Sequence, residues 1–261
     1  MLDYDFMRHA FTAAGIVAIL SGLVGYFLVL RGQAFAGHAL SHVGFAGATG
    51  AILIGASPLA GMLAVTTLGG VLMGALGEKL AQRDIAIGVI LTLSLGLGLL
   101  FLHFFTAYAT QATALLFGDV LGVSLSTIYQ LLILTILSLA ILGVISRPLL
   151  FASVNPELAE AKGVNLRNQS LIFLGLVGLT TAACAQIVGV LLVFALMIGP
   201  AAAAQRLSNR VIPGLTLSAT LALAQAWAGI ALSYLTDWPA SFWIATLSGG
   251  TYLLTLAFLR S

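Results

Sequence analysis

Two histidines, four residues apart, are the side chains in this sequence best suited to metal chemistry. They are His38 and His42, within the stretch FAGHALSHVGFAG (35–47). Their i, i+4 spacing puts both imidazoles on one face of a helix. Neutral imidazole is the commonest metal-binding side chain and suits zinc, copper, iron and nickel. The pair therefore indicates a metal site, and two histidines hydrogen-bonded to neighbouring helices are the alternative.

The composition around this pair indicates an integral membrane protein. Of the 261 residues, 61% are hydrophobic and only 7% are charged, whereas soluble domains carry about 25% charged residues. The one cysteine, Cys184, excludes an internal disulfide and a cysteine-rich metal site. No Asp, Glu, Lys or Arg lies well inside a predicted span. Three histidines do, namely His38, His42 and His103, and His103 lies in an aromatic cluster near the outer end of its span. A proton-coupled carrier usually needs an intramembrane carboxylate, so this absence counts against one.

Charged and turn-rich breaks divide the chain into nine predicted spans of about 20 residues each. We predict an all-α, polytopic transmembrane helix bundle in a single domain, 1–261. With nine spans, nine of the ten Lys and Arg residues fall on one side and Arg8 alone on the other. Because cytoplasmic loops are enriched in Lys and Arg, the N-terminus is expected outside and the C-terminus in the cytoplasm. The spans are 10–30, 35–56, 59–77, 85–105, 125–146, 169–186, 188–205, 212–235 and 241–259.

The longest predicted cytoplasmic loop contains a short helix with signals at both ends, in FASVNPELAEAKGVN (151–165). Asn155 is a good N-cap, Pro156 fits the first helical position, and Glu157 complements the helix dipole. Gly163 fits the position after the helix end. Such a helix is suited to docking a soluble partner, and an ordinary loop helix is the alternative.

Three further residues have a functional and a structural interpretation. Gly199 and Pro200 predict a kink in the seventh span, which is either a hinge or a fixed packing feature. Asp119 is placed to gate the outer mouth, to attract a cation or to cap a local turn. The chain has no Gly-rich loop followed by Lys and Ser or Thr, so any ATP used in transport is bound by another subunit. We therefore expect a transport subunit and no enzyme.

Five segments resemble the permease subunits of ATP-binding-cassette importers for zinc, manganese and iron, in the order of that family. The first ends in a motif similar to the family's Asp-Ala-Leu-Ser-His-Ala, and the fourth is similar to its Asp-Pro-Glu-x-Ala segment. The five are FLVLRGQAFAGHALSHVGFAG (27–47), RDIAIGVI (83–90), LLFGDVLGVS (115–124), VNPELAEAKGVN (154–165) and QIVGVLLVFALMIGPAAAAQRL (186–207).

The resemblance implies a cobalamin-importer-like permease fold with one span fewer, in the cytoplasmic (inner) membrane. It implies a homodimer or a pair with a paralogue, with the ion path at the interface. Its further partners are cytoplasmic ATP-binding subunits and an extracytoplasmic metal-binding protein, with no nucleic acid. The helix near 155–163 is then the coupling helix, with Leu158 and Ala161 as contacts and Gly163 at its end.

The resemblance also bears on the metal. In the family, the Asp and His of the first motif line the metal path; His42 matches the His, and His38 stands where the family usually has Asp. A dimer would then present four imidazoles, which favour zinc over manganese. Manganese or iron(II) import and a nucleotide-independent secondary metal carrier are the alternatives. A haem protein is disfavoured, because i, i+4 histidines cannot easily reach opposite faces of one iron.

Overall fold

The structure is a computed structural model that describes residues 4–76, 80–104, 115–118 and 120–258, without the side chains of 80–83 and 258. Within these residues the regular structure is helical, with ten helices longer than one turn. They are α1 (Asp5–Leu30), α2 (Ala34–Leu53), α3 (Pro58–Ala75), α4 (Leu80–His103), α5 (Leu125–Val154), α6 (Pro156–Ala161), α7 (Leu166–Val188), α8 (Val193–Leu207), α9 (Val211–Thr236) and α10 (Ala240–Phe258).

Each predicted span coincides with one of these helices. Six helices (α1, α3, α4, α5, α7 and α9) are long and apolar enough to cross a membrane by length and composition. Helix α8 has 15 residues and extends about 22 Å at 1.5 Å per residue, less than a hydrocarbon core of about 30 Å. The all-helical architecture is confirmed, and the count of nine spans and the orientation stay predictions.

The helix that contains the fifth predicted span, 125–146, is longer than the span. Helix α5 continues to Val154 and passes through Pro148. Proline removes one backbone hydrogen bond and has a fixed φ that is compatible with a helix, so it kinks many helices without ending them. As a result, α5 reaches directly to Asn155, the cap of the short helix α6.

Helices α1 and α7 are the most buried of the membrane-spanning candidates and form the centre of the bundle. Helix α3 packs along α7, and α2 packs on α3 and α4. On the other side, α1 contacts α8 and α9, and α10 covers both. Helix α5 lies against α1 and α7.

Glycines let the central helices approach closely, as the small-residue content of the sequence predicts. Gly70 of α3 lies against the backbone of α7, where a Cβ would be 2.6 Å from the carbonyl carbon of Leu174. One turn on, Gly74 faces the backbone of Ser170 in the same way. In the reverse direction, Gly178 of α7 lies against Thr66, whose Oγ1 donates to the Gly178 carbonyl at 2.8 Å. The α3–α7 contact is therefore made backbone to backbone.

We expect Gly70→Ala to destabilise the bundle, because the added Cβ meets backbone that cannot move independently of α7. Overpacking of this kind costs about 1–3 kcal/mol, which thermal unfolding of the purified protein in detergent would register as a lower Tm. Gly96→Ala in α4 is the matched control, since among the described residues neither a side chain nor another helix lies within 4 Å of the position that its Cβ would take. There alanine's higher helix propensity should leave the Tm unchanged or raise it. Equal losses at both positions would contradict a close α3–α7 contact.

The ends of α1 and α8 that carry basic residues lie together, at what we call the basic end of the bundle. Near it, Gln205 Nε2 donates to the Tyr26 carbonyl at 2.7 Å, which joins α8 to α1. The basic end is defined by Arg31, Lys162, Arg167, Arg206 and Arg210.

At the opposite end, the short segment 115–118 pairs with the break between α7 and α8. The backbone N–H groups of Val190 and Leu191 donate to the carbonyls of Leu115 and Leu116, each at 3.2 Å. Gly189 has φ 78° and ends α7, so the break begins at 189 and runs to the start of α8 at Val193. Because L-residues rarely adopt this φ, glycine explains how a sharp break forms inside an apolar stretch.

Candidate functional site

The two histidines lie on one face of α2, as their spacing predicts. The ring centroids of His38 and His42 are 4.9 Å apart, with an interplanar angle of 87°. Both residues are half-buried. Helix α2 holds them in place through close contacts on its other sides, where Gly47 faces the Gly61 backbone of α3 and Phe45 packs over Gly98 of α4.

Each histidine of this pair has a buried ring nitrogen that makes no hydrogen bond within the described residues. The Nδ1 atoms of His38 and His42 are both shielded from solvent and have no hydrogen-bond partner within the part of the chain that the structure describes. The alternative of histidines bonded to neighbouring helices is therefore unsupported at Nδ1. A buried polar group without a partner costs about 1–3 kcal/mol, so two of them on one face call for a ligand or a second chain.

Within the described residues, one copy of the chain offers this pair of imidazoles and no larger group of metal-binding side chains. Among the described residues, no group of three or more His, Cys, Asp or Glu side chains could hold a metal ion. Protein-bound zinc usually has four ligands, or three and a water. Further ligands for this pair must therefore come from outside the described chain or from water.

An aromatic residue from another helix packs against the pair. The Phe194 ring of α8 lies 5.1 Å from the His38 ring, centroid to centroid, and meets it edge-on at 75°. Phe194 is itself 37% exposed, so it borders the face on which the histidines lie. No local pattern in the sequence marks Phe194, because its contact with α2 depends on tertiary packing between segments far apart in the chain.

The short helix α6 has the caps that the sequence predicts. Asn155 Oδ1 accepts a hydrogen bond from the Leu158 N–H at 3.0 Å, and Pro156 occupies the first position. Glu157 lies in the first turn. Gly163 has φ 86°, a conformation that favours glycine after a helix end.

One face of α6 is attached to the bundle and the other is exposed. Ala159 is fully buried, in a small cluster with Ala152 of α5 and Leu166 of α7. Leu158 is 47% exposed, and Ala161 is also exposed. Helix α6 is therefore a projection seated on the ends of α5 and α7, with an apolar side chain pointing away from the protein.

The Gly199–Pro200 pair lies inside a continuous helix. Helix α8 runs from Val193 to Leu207, and Pro200 is buried within it. Gly199 packs against Ser248 of α10, whose Oγ donates to the Ala195 carbonyl at 2.6 Å. A side chain at 199 would occupy the position of the serine hydroxyl. These contacts favour the packing interpretation, and the hinge stays a prediction.

Asp119, the predicted gate residue, lies outside the described residues. Its neighbour Gly118 packs against Gly189, and each would clash with the other's backbone if it carried a Cβ. The 115–118 segment and the α7–α8 break are therefore in direct backbone contact at Gly118 and Gly189.

Comparison with known proteins extends over the whole chain. The model of the ABC 3 transport family matches residues 3–259. The manganese transport system membrane protein MntC of Halalkalibacterium halodurans is 31% identical over 99% of this chain and 89% of its own length. The manganese import system permease protein ScaB of Streptococcus gordonii is 27% identical over 98% of this chain and 89% of its own length.

A solved structure has the same fold. PsaBC from Streptococcus pneumoniae, in complex with a Fab, superposes with a TM-score of 0.86 at 25% identity, over 97% of this chain and 91% of that chain. The resemblance to permease subunits of metal ABC importers is confirmed. The chain is a multi-span protein of the cell inner membrane and belongs to the ABC 3 transport family.

Proposed function

We propose that this chain is the permease subunit of an ATP-driven importer of divalent transition-metal ions, with His38 and His42 on the ion path. The observation that carries the proposal is the pair of buried Nδ1 atoms without partners on one half-buried face of α2, among the residues that the structure describes. A packing role would leave both Nδ1 atoms without a partner, and both rings lie on the half-buried face that an ion passing between two copies would meet. The names of the relatives, which refer to manganese transport and import, support metal as the cargo.

The ion path is proposed to lie between two copies of the chain. Two imidazoles from each copy would give four nitrogen ligands, the number that zinc prefers. Four neutral imidazoles bring no negative charge, so the ion would be held weakly. Weak retention suits a conduit, because an ion must leave the site as readily as it enters.

Zinc is the cargo that the donor atoms favour, and manganese is the second candidate. Nitrogen ligands suit zinc, whereas manganese prefers carboxylate, carbonyl and water oxygens. Manganese is favoured by a different observation, namely the printed names of the relatives. His38 is the residue that discriminates between the two candidates, since it stands at the Asp position of the family motif that this segment resembles.

His38→Asp is therefore expected to shift metal preference from zinc towards manganese. The substitution replaces one nitrogen donor per copy by an oxygen donor and adds a negative charge. We expect the ratio of zinc to manganese uptake to fall about tenfold or more, in line with the 10- to 100-fold effects of changes around metal ligands. Competition between the two ions for uptake by proteoliposomes measures the ratio. Asn209→Asp, in the loop between α8 and α9 where Asn209 is exposed, is the charge control. An unchanged ratio in His38→Asp would exclude His38 from selectivity.

Energy and delivery are proposed to come from other proteins. ATP would be bound by separate cytoplasmic subunits that seat on α6 through Leu158 and Ala161, both exposed. A metal-binding protein would deliver the ion on the outer side. The nine-span arrangement, with the N-terminus outside, puts α6 and the basic end in the cytoplasm, where such subunits are found.

A further inference from the structure

Arg31 occupies the point where three helices meet at the basic end. It is the residue that follows α1, and its guanidinium reaches two other helices. Nη2 donates to Ser170 Oγ of α7 at 3.0 Å, and Nη1 donates to Ser153 Oγ of α5 at 3.5 Å. The guanidinium carbon also lies 5.8 Å from the centroid of the Phe173 ring, within the range of a cation–π contact. One half-buried side chain thus joins α1 to both α5 and α7.

The two helices that Arg31 joins are the ones that hold α6. Ser153 lies in the last turn of α5, two residues before Asn155, and Ser170 lies near the start of α7. Ala159 of α6 is packed between the same two helix ends, against Ala152 and Leu166. Any displacement of α6 by a docked partner would therefore move the serine hydroxyls that bind Arg31.

On its other side, Arg31 leads directly into the histidine helix. Its Nε donates to Gln33 Oε1 at 3.3 Å, and Gln33 is 3% exposed and immediately precedes α2. The connection is a tight turn, in which Gly32 has φ 63° and the Gln33 N–H donates to the Leu28 carbonyl at 2.9 Å. His38 is five residues further, about 7.5 Å along the α2 axis. The tight turn therefore connects the Arg31 guanidinium closely to the start of α2.

We propose that Arg31 is a positioning residue that makes the α1–α2 turn move with α6, so that events at the docking helix reach His38 and His42. The inference rests on the proposed function for its role in transport. Its mechanical part is independent of metal: the start of α2 and the start of α7 should move as one body. A planar guanidinium suits this role, because it donates several hydrogen bonds in fixed directions at once.

The functional test uses Arg31→Ala and Arg31→Lys in the permease assembled with its ATP-binding subunits and delivery protein. For Arg31→Ala we expect zinc-stimulated ATP hydrolysis to fall about three- to thirtyfold, the range for residues that transmit coupling. Assembly and zinc affinity should remain at the wild-type level. Arg31→Lys, which has a single ammonium group in place of the planar guanidinium, should recover part of the stimulation. Arg206→Ala, which removes an exposed arginine of the same end, should keep all of it.

A double-mutant cycle checks that the serine contact carries the effect. Ser170→Ala should reduce stimulation in the wild type and cause no further loss in Arg31→Ala. Full stimulation in Arg31→Ala would overturn the proposal. A loss of assembly or of zinc affinity that accounts for the lost stimulation would also overturn it, because Arg31 would then be merely structural.

A metal-free measurement separates this proposal from the proposed function. Spin labels at positions 35 and 167, both exposed, report the distance between the starts of α2 and α7 in the assembled complex. In the wild type, the distance distribution should be narrow, and it should be the same without nucleotide as with trapped ATP. Arg31→Ala should broaden or shift the distribution. A nucleotide-dependent change in the wild type would overturn the linkage, whatever the cargo. If the wild-type distance stays unchanged but metal does not stimulate ATP hydrolysis, the proposed function is overturned and the linkage through Arg31 is not.

Discussion

Replacement of His42 by alanine is expected to abolish metal-stimulated ATP hydrolysis by the assembled transporter. In the proposed two-copy site the substitution removes two of four imidazoles, and two ligands cannot hold the ion in competition with water. Even loss of an outer-shell partner costs roughly 10- to 100-fold in metal affinity, so loss of the ligands themselves should exceed about 100-fold. Titration of zinc against the ATPase rate, with the delivery protein present, measures the effect.

The matched control is His103→Ala. His103 ends α4, where it is exposed and packs edge-on against Phe104 with 5.7 Å between ring centroids. It is thus a histidine of the same bundle outside the proposed path, and its loss should leave the titration unchanged. If His42→Ala also leaves it unchanged while zinc stimulates the wild type, the histidine pair is a packing feature and the ion path lies elsewhere.

Leu158→Glu is expected to separate the permease from its ATP-binding subunits. Leu158 is the exposed apolar residue of α6, next to the buried Ala159 that attaches the helix to the bundle. A carboxylate placed in an apolar docking cleft is desolvated without a partner, and changes at interface centres cost about 2 kcal/mol or more. This corresponds to a loss of at least about 30-fold in subunit affinity, and uptake should be lost with it. Co-purification of the subunits and their affinity by titration measure the change.

Two comparisons make this result specific. Asn209→Glu adds the same charge at an exposed residue of the loop between α8 and α9 and should leave assembly intact. Because α6 is anchored through the buried Ala159 and not through Leu158, the Tm of Leu158→Glu should equal that of the wild type. Normal assembly of Leu158→Glu would show that α6 is an ordinary loop helix, the alternative that its sequence left open.

Local patterns were sufficient to predict most of the helices and the two candidate surfaces. The His38–His42 face follows from four-residue spacing, and the caps of α6 follow from the residue types at Asn155 and Gly163. The fifth predicted span stops at 146 because Arg147 and Pro148 are typical of a loop, whereas α5 continues through both. In a long helix that leaves the membrane, a charge and a proline are both tolerated near the end.

Contacts between distant segments were beyond the reach of the sequence. The bond from Arg31 to Ser170 joins residues 139 positions apart, and no local pattern marks either residue. Phe194 beside His38 is a similar case, since phenylalanine is common in membrane helices and only packing selects this one. Pairing of the 115–118 segment with the α7–α8 break likewise depends on backbone geometry at Gly118 and Gly189.

The most direct test of the central claim is metal uptake by proteoliposomes that contain the wild-type permease, its ATP-binding subunits and the delivery protein. Zinc, manganese and iron(II) are supplied outside, with ATP either present or absent at the ATPase side. We predict uptake that requires ATP and favours zinc. Uptake at the same rate without nucleotide would contradict an ATP-driven permease and indicate a secondary carrier or channel, and absence of uptake for all three ions would contradict metal as the cargo.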